Sequence, residues 1–296
     1  MKNKTRYSES PNYHQTVIKA AESLILPMIS LQKRFLPLFI LFTALNFSCG
    51  NEKNSEKTDS ITSRLDSLNQ LVEKYPDSIQ LQLSFQEALY IHGDTTKALD
   101  NLLFLIQKFP SKKELQNAVA LIQLQKGDTA YAIQALLNSL AIDQNQPDVE
   151  FELAFLEAAQ KNKDALIIAN RMINRYAERD IQAKGHFSKG IYYANTSLPK
   201  EAIQEFDSAI IKNFTLVDAY VEKGILLLEN GKINESIATL SKATALDKNN
   251  ADVLFWLGKA HQQKKEFSQA LIYFSETLRL DPTNNSAKSA IEEIKK

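Results

Sequence analysis

Residues 183–284 read AKGHFSKGIYYANTSLPKEAIQEFDSAIIKNFTL (183–216), VDAYVEKGILLLENGKINESIATLSKATALDKNN (217–250) and ADVLFWLGKAHQQKKEFSQALIYFSETLRLDPTN (251–284), one 34-residue unit written three times without insertion or deletion. The eighth residue is glycine each time, Gly190, Gly224 and Gly258. The twentieth is Ala202, Ser236 or Ala270, the twenty-fourth Phe206, Leu240 or Phe274, and the twenty-seventh Ala209, Ala243 or Thr277. Small residues recur where two helices would have to approach closely, and large apolar ones recur where they would pack. A fixed period in this range means a stacked array rather than a closed globule.

The pattern extends in both directions. Units from Ile79 (79–112) and Lys113 (113–146) place Ala98 and Ala132 at the twentieth position and Leu102 and Leu136 at the twenty-fourth. Between them and the clean run lies a 36-residue unit, 147–182, in which Ala165 arrives one residue early. Its inner turn KNKD is therefore short, and its exit from Tyr176 to Gln182 is long. Ahead of the array, residues 61–78 hold one amphipathic helix with Leu65, Leu68 and Leu71 at helical spacing, which reads as an N-terminal cap. Behind it, residues 285–296 repeat the start of a first helix, with Ala287, Ala290, Ile291 and Ile294 on one face and charged residues on the other, as a terminal cap requires.

These residues resemble the tetratricopeptide repeat family, whose unit is a helix-turn-helix of the same length. The last unit carries the resemblance most fully, with Leu257 and Gly258 in its first helix, Ala270 and Phe274 in its second, and Asp281-Pro282 closing it. The resemblance implies an all-α fold, a right-handed superhelical solenoid of six units between two capping helices. His186, Tyr220 and Leu254 stand where the family often has tryptophan.

The N-terminus carries an address. Phe35 to Phe47 is an apolar run preceded by Lys33 and Arg34 and followed by Ser48 and Cys49, the only cysteine in the chain. It is too short to cross a bilayer as a helix, which needs about 20 residues. A basic start, a short apolar stretch and a small residue before the cut fit a secretory signal. The run resembles a bacterial lipoprotein signal, which implies lipidation of Cys49 and a lipid anchor in the membrane. Residues 28–48 make a signal of ordinary length, so residues 1–27 read as an upstream extension. Residues 49–60, GNEKNSEKTDS after the cysteine, hold no large apolar side chain and read as a flexible tether. Gly50, rather than aspartate, after Cys49 points to the outer membrane, by the same resemblance.

Chemistry finds few candidates. The 35 basic and 35 acidic residues balance, and loss of residues 1–48 leaves 29 against 33. No clustered basic surface for nucleic acid is implied. There is no glycine-rich phosphate loop and no histidine-glutamate zinc pattern. His14, His92, His186 and His261 have no ligand-like spacing, and no metal, cofactor or catalytic site is expected.

Binding is the expected function. In the family, the concave wall is lined by the second, fifth, ninth and twelfth residues of each first helix. Those places hold Leu121 and Leu124, Phe151 and Phe155, Phe187 and Ile191, Val221, Ile225 and Leu228, then Phe255 and Lys259. The resemblance thus implies an apolar, aromatic groove for a protein or peptide partner. The lysine, arginine and asparagine set with which some members clamp an acidic tail is missing. The competing reading is that a tightly wound array buries these side chains between helices. Outer-membrane assembly lipoproteins and type IV pilus pilotins share this plan of a lipid anchor and about six repeats. The alternatives are a carbohydrate-binding or accessory module, for which Trp256 would be the platform, and a soluble co-chaperone if Cys49 is not lipidated.

Overall fold

The computed structural model describes residues 53–295, with side chains from Arg64 onward. The extension 1–27, the signal 28–48 and Cys49 lie outside the described residues. Among the described residues there is no strand, and the helices follow one another in antiparallel pairs. They are α1 (Lys53–Lys74), α2 (Ile79–His92), α3 (Thr95–Lys108), α4 (Lys113–Gln125), α5 (Thr129–Ile142), α6 (Pro147–Ala159) and α7 (Asp164–Arg175). After these come α8 (Arg179–Asn195), α9 (Pro199–Lys212), α10 (Val217–Glu229), α11 (Ile233–Leu246), α12 (Ala251–Gln263), α13 (Phe267–Leu280) and α14 (Asn285–Lys295). They form two compact bodies, one ending at Val149 and the other beginning at Glu150.

Each of the six turns within a pair is built the same way. One residue has a positive φ: Gly93, Gly127, Lys161, Ser197, Gly231 and Lys265, spaced 34, 34, 36, 34 and 34 residues apart. Its N–H returns to the carbonyl three residues before it, and the next N–H returns to the carbonyl five residues before, as in Gly127 to Leu124 and Asp128 to Gln123. This double bond to the last turn satisfies carbonyls that a helix end otherwise leaves open. Glycine takes the left-handed conformation without strain, whereas Lys161, Ser197 and Lys265 adopt it at a cost.

The short turn in the third pair has a visible cause. In the other pairs the small residue that opens the second helix donates to the carbonyl four residues back, as Ala132 does to Asp128. Ala165 donates instead to Asn162, three residues back, and Leu166 to Lys163. The first turn of α7 is wound more tightly, so one residue fewer reaches the same packing place.

Inside the pairs, the eighth and twenty-fourth residues meet. A Cβ added to Gly190, Gly224 or Gly258 would lie 2.4 to 2.6 Å from the side chain of Phe206, Leu240 or Phe274 respectively, and those three are fully buried. In the fifth pair the Ser236 hydroxyl also donates to the Gly224 carbonyl at 2.7 Å, so a polar twentieth residue is satisfied where alanine stands elsewhere.

At the opposite end of the first, second and fourth pairs, the start of the first helix is tied to the end of the second. Lys108 bonds Asp77 at 2.8 Å, and Lys113 pairs with Asp143. In the fourth pair Arg179 donates to the carbonyls of Ile211 (2.6 Å) and Lys212 (3.3 Å), Asn213 donates to Asp180 (2.6 Å), and Lys212 to Gln182 (2.7 Å). A guanidinium on the last carbonyls of a helix satisfies orphan acceptors and complements the negative end of its dipole.

Two boundaries and one packing face differ from the sequence reading. Arg179 to Gln182, read as the long exit of the third unit, are the first turn of α8, recruited by those contacts to the end of α9. The N-terminal helix begins at Lys53 rather than at Ile61, so most of the stretch read as a tether is helical. Residues 53–60 contain no proline and no glycine, and a helix held by its packed half propagates through such residues. Within that helix Leu65, Leu68 and Val72 are half-buried while Leu71 is exposed, which shifts the packing face by one residue. At the other end, Ala287 and Ala290 of α14 are buried with Phe255, Ala270 and Phe274, and Ile291 and Ile294 close the edge.

Candidate functional site

The eighth residue of a first helix faces its own second helix at Gly190, Gly224 and Gly258, and the fifth does so as well where it is phenylalanine, Phe187 against Phe206 and Phe255 against Phe274. Of the eleven residues expected to form a partner-binding wall, Leu121 and Leu124 belong to the body that ends at Val149, and the other nine to the body that begins at Glu150.

The sequence left two readings of these residues, an open groove or side chains packed between helices, and most of them are packed. Leu124, Phe155, Phe187, Ile191, Ile225, Leu228 and Phe255 are buried, each no more than 8% exposed. Their rings serve helix stacking. Phe155 and Phe187 lie nearly parallel, 3° apart with centroids at 6.4 Å, and Phe187 reaches Phe206 at 5.8 Å. Phe206 is the ring that closes on Gly190, so these side chains continue the core of the fourth pair. Ring pairs in this range add stabilisation beyond the area they bury. Phe255 similarly contacts Phe274 at 5.8 Å and Trp256 at 5.4 Å, the latter edge to face.

What stays half-open is narrower: Leu121 in one body, and Phe151, Val221 and Lys259 in the other. Phe151 borders the ring cluster, at 6.4 Å from Phe155 and 6.3 Å from Phe187. The Lys184 ammonium lies 5.6 Å from the centre of its ring, within the range of a cation–π contact. Lys259 donates to Gln262 at 3.1 Å, and Gln262 in turn to Glu293 of α14 at 3.0 Å. The surface offered by the later body is thus an aromatic edge beside one cation, an aliphatic step at Val221 and a second cation.

The histidines are partnered. His186 Nδ1 lies 2.7 Å from Glu205, whose other oxygen is 2.6 Å from Lys189. Burial pushes the Glu205 carboxyl up, but hydrogen bonds from His186 and Lys189 outweigh it and hold the group below its ordinary range. His261 Nδ1 lies 2.6 Å from Glu266 and its ring stacks on Tyr273 at 5.3 Å. His92 lies 3.3 Å from Asp94, and His14 is outside the described residues. Among the described residues, no group of three histidine, cysteine, aspartate or glutamate side chains could hold a metal ion.

One feature was missed in the sequence, where Glu150, Glu152 and Glu157 pass for solvated charges. All three are buried on α6. Glu150 is paired by charge with Arg171 at 3.0 Å and Arg175 at 3.7 Å, though neither of its oxygens accepts a hydrogen bond, and Asn162 donates to Glu157 at 2.7 Å. The spacing of Arg171 and Arg175, one helical turn apart on α7, was a usable signal for the first. Glu152 has no such partner for its Oε1, and burial pushes its carboxyl up to about 8. Desolvation favours the neutral form of this carboxyl.

Two family models match the C-terminal part of the chain, one described as TPR repeat over residues 224–265 and one as tetratricopeptide repeat over 251–284. Residues 224–284 carry tetratricopeptide repeats. The human protein O-mannosyl-transferase TMTC3 is 36% identical over 95 residues, which are 32% of this chain and 10% of that protein. The matched stretch thus spans about a tenth of that relative. Among solved structures, a tetratricopeptide repeat protein from Parabacteroides merdae superposes with a TM-score of 0.66 at 13% identity, covering 94% of this chain and 100% of its own. PilW, described as a type IV pilus biogenesis factor, gives 0.58 at 12% identity over 71% of this chain and 97% of its own. Both show that the fold is that of tetratricopeptide repeat proteins, with the repeats running well beyond the matched 61 residues.

Proposed function

We propose that this protein is a scaffold that binds protein partners through the first-helix face of its repeats, anchored by lipid on Cys49 in the cell envelope, at the outer membrane, and without catalysis of its own. The observation that carries the binding reading is the small set of half-open side chains left on successive first helices. The packing places are sealed in every pair, whereas Phe151, Lys184, Val221 and Lys259, at the second, fifth and ninth places of consecutive first helices, remain half-open. Half-open apolar residues flanked by cations suit a partner segment that brings apolar side chains and carboxylates. Each covered apolar side chain would contribute about 1.5 to 3 kcal/mol before ordering costs.

Trp256, on which a carbohydrate-binding reading would rest, is half-buried and held edge to face against Phe255, so its ring is engaged in packing. The anchor rests on the sequence of residues 28–50. Expression from Met28 in a Gram-negative host, with mass spectrometry of the mature N-terminus, tests it. An acylated Cys49 is the expected result, and an unmodified chain retaining Phe35 to Phe47 would remove the envelope from the account. Binding is tested by Phe151→Lys with Val221→Lys, which should abolish capture of a crosslinked envelope partner while leaving the helical circular dichroism in place.

A further inference from the structure

The chain contains one Asn-Gly step, Asn230-Gly231, and it falls in the turn between α10 and α11 with both residues exposed. We infer that Asn230 is a site of spontaneous deamidation, held off by the closed turn, whose conversion unlatches the fifth helix pair. This is independent of the partner-binding reading.

The chemistry needs only water. The Gly231 amide nitrogen gives its proton to solvent and bonds to the Asn230 side-chain carbonyl carbon. The bond from that carbon to Nδ2 breaks, and the nitrogen leaves as ammonia after taking up a proton. Water then opens the five-membered imide at either carbonyl, leaving aspartate or its β-linked isomer. Nothing is oxidised or reduced. Glycine is the residue that hinders this ring closure least, because it has no side chain beside the attacking nitrogen.

The closed turn opposes each requirement. The attacking nitrogen is occupied, since Gly231 N–H donates to the Leu228 carbonyl at 3.0 Å. The group under attack is turned away, since Asn230 Nδ2 donates to the Leu226 carbonyl at 2.7 Å and so points back along α10, not forward to residue 231. The backbone is fixed on both sides, Lys232 N–H donating to Leu227 at 2.9 Å and Gly231 holding a φ of +74°. Leu226, Leu227 and Leu228, whose carbonyls accept these bonds, are buried. Reaction therefore requires local opening of this turn, an event whose free energy lies below that of global unfolding.

The product does not fit what it replaces. A carboxylate at residue 230 cannot donate to Leu226, and it adds negative charge beside Glu229 at the negative end of the α10 dipole. The β-linked isomer also inserts a backbone carbon into a turn whose length sets the 34-residue register.

Peptide mapping by mass spectrometry of the full chain tests this, after incubation at neutral pH in buffer, in urea below the unfolding transition and in urea above it. Asn230 should be the first asparagine to convert in the unfolded chain. Its rate should be at least about tenfold lower in buffer and intermediate in sub-transition urea. Equal rates in buffer and in the unfolded chain would refute the gate. Earlier conversion at Asn249 or Asn285 would refute the site. Asn230→Asp, which needs no reaction, should speed amide hydrogen exchange across residues 217–246 while leaving 285–295 unchanged. Unchanged exchange in 217–246 would refute the unlatching.

Discussion

Replacing Gly190 by alanine places a methyl group where the structure has none to spare. Its Cβ would lie 2.4 Å from Cε1 and 2.6 Å from Cδ1 of Phe206, a ring that is fully buried and contacts Phe187, itself stacked on Phe155. The ring cannot withdraw without moving that cluster. Overpacking of this kind costs about 1 to 3 kcal/mol. Alanine in place of glycine within a helix returns about 0.8 to 1.0 kcal/mol. The net expectation is a loss of up to about 2 kcal/mol, read as a lowered urea midpoint by circular dichroism. Because a repeat array need not unfold in one step, hydrogen exchange in α8 and α9 should locate the loss there. The chain supplies its own compensated version: the second unit holds Ala120 and Leu136 at these two places, both fully buried. Gly190→Ala with Phe206→Leu should therefore lose less than the sum of the single substitutions. If Gly190→Ala alone raises stability by the propensity gain, with no coupling to residue 206, the close approach is wrong.

Other expectations follow from the same features. Lys161→Gly, Ser197→Gly and Lys265→Gly should each raise stability by about 0.5 to 1 kcal/mol in urea titrations, by relieving a left-handed residue, and Gly127→Ala should lower it by a similar amount. Glu152 has a folded pKa of about 8 against 4.5 for the free group, so the stability its neutral form contributes is fully present below pH 4.5 and is lost as pH rises through 8. Glu152→Gln should flatten that slope and be more stable than the native chain at pH 8 by a few kcal/mol, on the order set by about 1.4 kcal/mol per pKa unit. Parallel pH profiles would count against the burial of that carboxyl. Phe155→Lys with Ile191→Lys should lower the urea midpoint by the equivalent of several kcal/mol, since both are buried, whereas Phe151→Lys should cost less than about 1 kcal/mol. Equal costs would place Phe151 in the core.

Much of the fold could be read in the chain because a few positions accept so few residues. Gly190, Gly224 and Gly258 recur because a side chain there would strike the facing ring or leucine, and Ala98, Ala132 and Ala202 recur because the second helix enters the pair at that point. The early arrival of Ala165 was visible as a one-residue shift, and the tightened turn at Asn162 accounts for it. Positions under weaker constraint were not legible. Lys53 to Ser60 are polar helical residues without a period, and Arg179 to Gln182 hold a single apolar residue, Ile181, so nothing in their pattern separates a helix turn from a tether. The apolar wall was ambiguous for a different reason. A fifth or ninth residue that is phenylalanine suits either a partner or the next helix, and only the packing distances assign Phe155 and Phe187 to the helix and leave Phe151 half-open. Glu152 was illegible because a carboxylate without a cation at helical spacing ordinarily turns to water.

The central claim is that partners meet the first-helix face. Photo-reactive side chains placed singly at residues 151, 221 and 259 in growing cells, and at Ile167 and Ile272, which are 66% and 59% exposed on second helices, test it most directly. The account predicts one common envelope protein crosslinked from 151, 221 and 259, lost on Phe151→Lys when probed from 221, and absent from 167 and 272. Crosslinks confined to 167 and 272, or a partner from 221 that is indifferent to Phe151→Lys, would contradict it.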